Sequence, residues 1–211
     1  MIRLFWLLLL LSPSGFAESF AALTVTPYGQ QQFDISTGVS TLPEGGQVID
    51  KETNLKLEAS FVRYSEGGFI EATGSTVVGK FGTLSAASLY VDVAAQSISA
   101  SGNLQFLYGT LSLTANTLKI YLTPDVAVLE GNVQSVNPSF SVSKLVINLK
   151  TQQALLLSPY VYQNGPLTLQ QDSVGELLQL LPERSGETLS YNASSVISED
   201  VLAALSPFLT P

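Results

Sequence analysis

A repeat of about 28 residues occurs four times between residues 55 and 165 of this 211-residue chain. Gly74, Gly102 and Gly131 are 28 and 29 residues apart, and Ser158 stands 27 further on in the place of a fourth glycine. A second signature runs in parallel: Leu57-x-Ala59-x-x-Val62-x-Tyr64, Leu84-x-Ala86-x-x-Leu89-x-Val91, Leu113-x-Ala115-x-x-Leu118-x-Ile120 and Phe140-x-Val142-x-x-Leu145-x-Ile147. A fixed period of this size means stacked copies of one supersecondary unit. Such a unit cannot bury its apolar face alone, so the architecture follows from the stack.

Residues 110–138 show how one unit reads. Leu111, Leu113 and Ala115 alternate with Ser112, Thr114 and Asn116, the period of two of a half-buried strand. The alternation then slips by one, so that Leu118, Ile120 and Leu122 carry it on. A slip demands a bend or a bulge, and its recurrence in every copy predicts a built-in corner. Thr123-Pro124-Asp125 makes a turn. Ala127 and Leu129 resume the alternation, Gly131 punctuates it, Val133 continues it and Asn137-Pro138 ends the unit. The other copies turn first at Ser65–Gly68, 94–96 and 150–152, and again at Gly79–Gly82, Tyr108-Gly109 and 164–166.

Each repeat is therefore two strands of about ten residues, spanning roughly 33 Å and bent near the middle. The fold class that follows is all-β: an elongated antiparallel β-jellyroll, or folded-sheet sandwich, with a slot of apolar side chains between two facing sheets. Residues 18–54 are expected to add an irregular β cap of one or two strands, Ala22–Thr26 and Gln31–Ile35, before a Gly- and Pro-rich loop at 42–46. The tail, 170–211, reads as short helices. Ser173-x-x-Glu176 is a capping box, with Val174, Leu177, Leu178 and Leu181 at helical spacing, which predicts a helix over about 174–181. A second is expected from Ser198 to before Pro207. Two roles are open for them: covering an end or edge of the sandwich, or docking a partner.

Composition narrows the chemistry. The chain has no cysteine and no histidine, which removes disulfides, thiolate metal sites and the commonest general base. Glu58, Glu71 and Glu130 fall on strand segments in no catalytic spacing, and Ser143-Lys144 reads as a solvated face. The chain is read as a non-enzyme without cofactor, catalytic residue or metal ligand. Its net charge is −8, yet residues 55–169 carry six acids and six bases, while 18–54 and 170–211 carry five and six acids against one base each. This neutral array between acidic flanks is not a nucleic-acid footprint. Residues 1–17 read as a secretory signal peptide. Arg3 gives the basic start, 4–11 the apolar core, and Gly15 and Ala17 the small residues before cleavage; an uncleaved membrane anchor is the competing reading. Export without cysteine fits a bacterial periplasm or cell surface.

Four segments carry a family resemblance: Leu84-Ser85-Ala86-Ala87-Ser88-Leu89, Ala100-Ser101-Gly102-Asn103-Leu104, Leu113-Thr114-Ala115-Asn116-Thr117-Leu118 and Leu129-Glu130-Gly131-Asn132-Val133. Their wording, L-x-A-x-x-L followed by G-N and an apolar residue, resembles the OstA-like domain of the lipopolysaccharide-transport proteins LptA, LptC and LptD, over about residues 55–165. The resemblance implies a periplasmic module that binds lipopolysaccharide or another envelope glycolipid. It would pass that lipid toward the outer membrane through an apolar groove, partnered by other OstA-like domains through its end strands. A groove would be lined by Leu84, Ala86, Leu89, Leu113, Ala115, Leu118, Phe140, Leu145 and Ile147. The same residues also suit a dry core, and Tyr108, Tyr121, Tyr160 and Tyr162 suit either a ligand-mouth rim or ordinary strand positions. A structural or adaptor protein of the envelope, without lipid, is the alternative.

Overall fold

The computed structural model describes residues 23–51, 53–186 and 188–209. The residues read as a signal peptide lie outside these. Among the described residues fifteen strands form one sheet in which every pairing is antiparallel. The first four are β1 (Leu23–Pro27), β2 (Gln32–Asp34), β3 (Val39–Leu42) and β4 (Gly46–Asp50). The repeat array supplies eight long strands: β5 (Leu55–Ser65), β6 (Phe69–Gly79), β7 (Gly82–Asp92), β8 (Ser97–Tyr108), β9 (Leu111–Tyr121), β10 (Val126–Val136), β11 (Ser139–Asn148) and β12 (Ala154–Asn164). Then come β13 (Leu167–Gln171), β14 (Leu177–Ser185), β15 (Thr188–Ser194) and helix α1 (Glu199–Leu205). The two turns expected in each repeat fall where the sequence puts them.

All eight long strands cross from one half-sheet to another at a shared corner. Half-sheet I holds the Leu55 end of β5, the Gly79 end of β6 and so on along the array, with β4 and β1 beyond β5 and β13 beyond β12. Half-sheet II holds the opposite ends, with β3 and β2 beyond β5 and β14 and β15 beyond β12. The inward side chains of both halves join one core, from Leu42 and Val48 to Leu180 and Tyr191.

The corner is written in the burial pattern. In β7, Leu84 and Ala86 point inward before it and Leu89 and Val91 after it, so Ala87 and Ser88 both face out. A regular pleat cannot place two consecutive side chains on one side; a sharp bend can. In β8 and β10 three residues separate the flanking inward side chains, Ala100 from Leu104 and Leu129 from Val133. The extra residue shifts the register against the neighbouring strands, as a bulge does. Gly102-Asn103 and Gly131-Asn132 absorb it with φ values of 74° and 49°, and 75° and 51°. Glycine adopts this left-handed region without a Cβ clash, and asparagine is among the few other residues that tolerate it.

Ser158 replaces the glycine in β12 because the sheet divides there. Residues 154–157 pair with β14 and residues 160–164 with β13. The Ser158 hydroxyl donates to the Ser173 carbonyl and accepts from the Glu176 amide at 2.9 Å, while the Ser158 amide donates to the Glu176 carbonyl at 2.9 Å. These bonds hold the link between β13 and β14.

They also account for a correction. The helix expected over about 174–181 does not form. Residues Ser173–Glu176 are the linker tied to Ser158, Val174 is 90% exposed, and Leu177–Ser185 is β14. Leu178 and Leu180 point into the core while Gln179 faces outward; a short apolar run satisfies both periods, and pairing to β12 decides for the strand. The N-terminal segment holds four strands rather than one or two, because Val39–Leu42 and Gly46–Asp50 pair with opposite halves of β5. The second helix is present as α1, ending at Leu205 before a 3-10 turn at Ser206–Phe208. Gln179 anchors its start, accepting from the Ser198 amide at 2.9 Å and donating to its hydroxyl at 3.1 Å. Val201 and Leu205 cover Val126, Val128, Val146 and Leu155 on the outer face of half-sheet II, so the helix lies on a sheet face rather than at the end or edge of the sandwich.

Gly131→Val should lower the unfolding free energy by about 2 kcal/mol, since a β-branched residue is strained at that φ. Asn132→Gly should leave it nearly unchanged. Urea denaturation of the two variants checks the assignment of the corner.

Candidate functional site

The space between the half-sheets is built from inward positions that register across the array. On half-sheet I one row runs Val77, Leu84, Phe106, Leu113, Ser135, Phe140, Tyr162. On half-sheet II a row runs Ala72, Leu89, Ala100, Leu118, Leu129, Leu145, Leu156. Of the nine residues named for a groove, eight are buried in the common core and Ala115 is half-buried against it. Leu84, Ala86, Leu113, Ala115 and Phe140 lie on half-sheet I; Leu89, Leu118, Leu145 and Ile147 lie on half-sheet II. The nine therefore face one another across a single space.

That space has a weak point at Ser135. Its equivalents in the other copies are Val77, Phe106 and Tyr162. Ser135 sits between Leu113 and Phe140 in the row, and its buried hydroxyl has no hydrogen-bond partner among the described residues. A hydroxyl left unpaired in an apolar interior costs free energy.

Opposite the corner, the free ends of the two half-sheets approach each other along a seam. Tyr108, at the end of β8, donates from its hydroxyl to the Leu149 carbonyl at 2.6 Å, bridging half-sheet I to the turn after β11. On one side of this bridge the hairpin of β14 and β15 closes the seam. Thr110 donates to the Leu189 carbonyl at 3.3 Å, Arg184 to Gln152 at 3.4 Å, and the Tyr162 hydroxyl to the Tyr191 carbonyl at 3.1 Å. The Tyr191 hydroxyl is buried without a partner. Burial pushes the phenols of both Tyr108 and Tyr191 up to about 12.

On the other side of the bridge the seam is parted. A cavity of about 250 Å³ lies between Leu55 and Phe81 of half-sheet I and Leu122 and Leu149 of half-sheet II. Lys80, Lys150 and Asp125 also line it. Leu55 and Phe81 belong to the common core, so this apolar mouth adjoins the interior.

The four tyrosines do not gather into one rim. Tyr108 and Tyr162 lie inside, Tyr160 is buried on β12, and Tyr121 faces outward against Phe208 at 5.0 Å between ring centroids. Lys144 is a further correction. Its side chain is only 10% exposed and pairs with Glu130 at 2.8 Å rather than lying in solvent. Ser143 donates to the Leu157 carbonyl at 3.1 Å at the corner. Among the described residues no group of three or more His, Cys, Asp or Glu side chains is placed to hold a metal. Sequence reading missed Phe81, Leu149 and Tyr191 because they sit at or beyond the ends of the repeat signature, where the period carries no signal; Tyr108 was named, but not as a bridge to Leu149.

No family model matches the chain, and no curated protein matches it. Among solved structures, it is similar to LptH of Pseudomonas aeruginosa, described as the LptA homologous periplasmic component of the conserved lipopolysaccharide transport device. The two share 12% identity at a TM-score of 0.32, over 86% of this chain and 98% of that one. Identity and superposition at this level do not carry the ligand of one protein over to the other.

Two measurements test this geometry. Ser135→Ala should raise the unfolding free energy by about 1 kcal/mol by removing the unpaired hydroxyl. Because the folded phenols of Tyr108 and Tyr191 titrate near 12 rather than 10, their contribution to stability is complete below pH 10 and is lost as pH rises toward 12. Alkaline titration of phenolate absorbance should show late-ionising tyrosines, one fewer in Tyr108→Phe.

Proposed function

We propose that this protein is an envelope lipid carrier that holds acyl chains between its half-sheets and receives them through the parted seam. The observation that carries the reading is the mouth itself. It is walled by Leu55, Phe81, Leu122 and Leu149 and adjoins the core, with Lys80 and Lys150 beside it. Each methylene moved from water into such a space gains about 0.8 kcal/mol. Similar side chains on every rung would let a chain slide without a deep trap. Lysines at the mouth suit an anionic head group that stays in water. The repeat wording shared with OstA-like domains makes lipopolysaccharide or a related glycolipid the first candidate, with the periplasm as the place of work. The nine inward residues from Leu84 to Ile147 would meet the chain once the half-sheets separate.

A second reading has its own support. Leu84, Leu113, Leu145 and Ile147 have no exposed surface, as in a filled interior. Among the described residues the edge strands β1 and β13 each have one neighbour, as an adaptor that docks partners by strand addition would.

Photoreactive residues at Leu149 and Leu118, followed by mass spectrometry of adducts from protein purified from its native envelope, separate the two. The carrier reading expects lipid adducts at both sites. Phe81→Glu should reduce them at least about tenfold by putting an unpaired charge in the mouth. Absence of adducts at both sites, with no lipid co-purifying, would establish the adaptor reading instead.

A further inference from the structure

On the outer face of half-sheet I the ions stand at the margins, the Lys56–Glu58 pair on β5 and Asp172 just past β13, where it accepts from Gln170 at 3.2 Å, with eight strands between them. Every outward residue of β6 to β13 on that half is Ser, Thr, Gln, Val or Leu. The other outer face is different, with Arg63 paired to Glu71, Glu130 paired to Lys144, and Lys119 over the Tyr121 ring. The uncharged face is also periodic. Val78, Leu107 and Val136 stand at one register level, 29 residues apart, and are 45%, 50% and 83% exposed. Thr76, Gln105 and Gln134 form a parallel row beside them. Successive copies lie two strands apart, so the aliphatic side chains recur about every 10 Å.

We infer that this face is the contact between two copies of the chain, related by a twofold axis and packed sheet against sheet. Three observations choose this occupant. A chain of net charge −8 repels its own copies, and between those margins neither copy brings an ion to the contact. The absence of charge with exposed aliphatic residues is the composition of an interface centre. An evenly spaced stripe on a twisted sheet is self-complementary under a twofold axis, and facing sheets pack about 10 Å apart with their side chains interleaved. Seven strand spacings by about five residues give a footprint of roughly 550 Å² per copy. Two such footprints sit at the low end of specific interfaces, so the dimer is weak and reversible. This contact is independent of the edge strands and of any lipid.

Sedimentation velocity across the micromolar range, on protein purified from the envelope fraction, tests it. The expected result is a monomer–dimer equilibrium that strengthens with added salt as the mutual repulsion is screened. Leu107→Glu and Val136→Glu should each weaken it at least about tenfold, because each buries an unpaired carboxylate. Both sites are exposed in the monomer, so thermal melts of the two variants should match the parent. Lys119→Glu, on the opposite face, should leave the dimer intact. A monomer throughout the range overturns the proposal, as does a dimer indifferent to both glutamates. Loss of association on Val25→Pro, with the glutamate variants unaffected, assigns it to the β1 edge and overturns the proposal equally.

Discussion

The structure depends on a break in alternation, two or three residues long, between inward side chains at one level of every long strand. A strand alternates sides with a period of two, so its apolar set belongs to one face only. At the corner, pairs such as Ala87-Ser88 and Asn116-Thr117 interrupt that alternation on the convex side. The strands can then turn sharply and still present Leu84 and Leu89, or Leu113 and Leu118, to the same interior. In β8 and β10, which carry one residue more than their neighbours, Gly-Asn in the left-handed region takes up the difference. Without this device the array would remain an open sheet with one apolar face in water. With it, one sheet supplies both walls of its own core.

The ends of the strands and the ends of the array pose separate problems. Along the strand ends the two walls must meet or leave a gap. Tyr108 bridges them to Leu149, the hairpin of β14 and β15 closes the seam beyond the bridge, and an apolar mouth remains before it. At the end of the array the tail continues half-sheet II and then folds back. Outward positions that are polar in earlier copies, such as Ser99 and Lys119, become Val128, Val146 and Leu155 in the same register, and α1 covers them. The outward apolar residues of the third and fourth copies and the apolar stripe of the tail thus answer each other.

Much of the fold was legible because the repeat multiplies each weak signal. One slip in alternation is ambiguous, whereas four at a common spacing define a corner, and turns at Ser65–Gly68 or Gly79–Gly82 follow from their glycines. The lining of the interior was legible for the same reason, since inward residues obey the period. Lys144 was misread because its repeat position is polar in two other copies, Ser88 and Thr117, and only the packed corner shows it held by Glu130. The tail was misread because Val174, Leu177, Leu178 and Leu181 match a helical stripe while Leu178 and Leu180 match a strand. Nothing local separates the two when the deciding partner is β12, about twenty residues away.

By itself, the sequence determined the unit, its count, its corner and the neutrality of the array, because alternation, glycine conformation and charge are properties of neighbouring residues. Tertiary structure decided which strands divide between the half-sheets, where the seam closes and where it parts. It also decided that the outward residues of one half-sheet are uncharged from β6 to β13. Those features arise from residues that meet only when the stack is assembled: Tyr108 with Leu149, Ser158 with Glu176, and Val78, Leu107 and Val136 brought to one level across strands. A one-dimensional period lists such residues but does not say which of them touch.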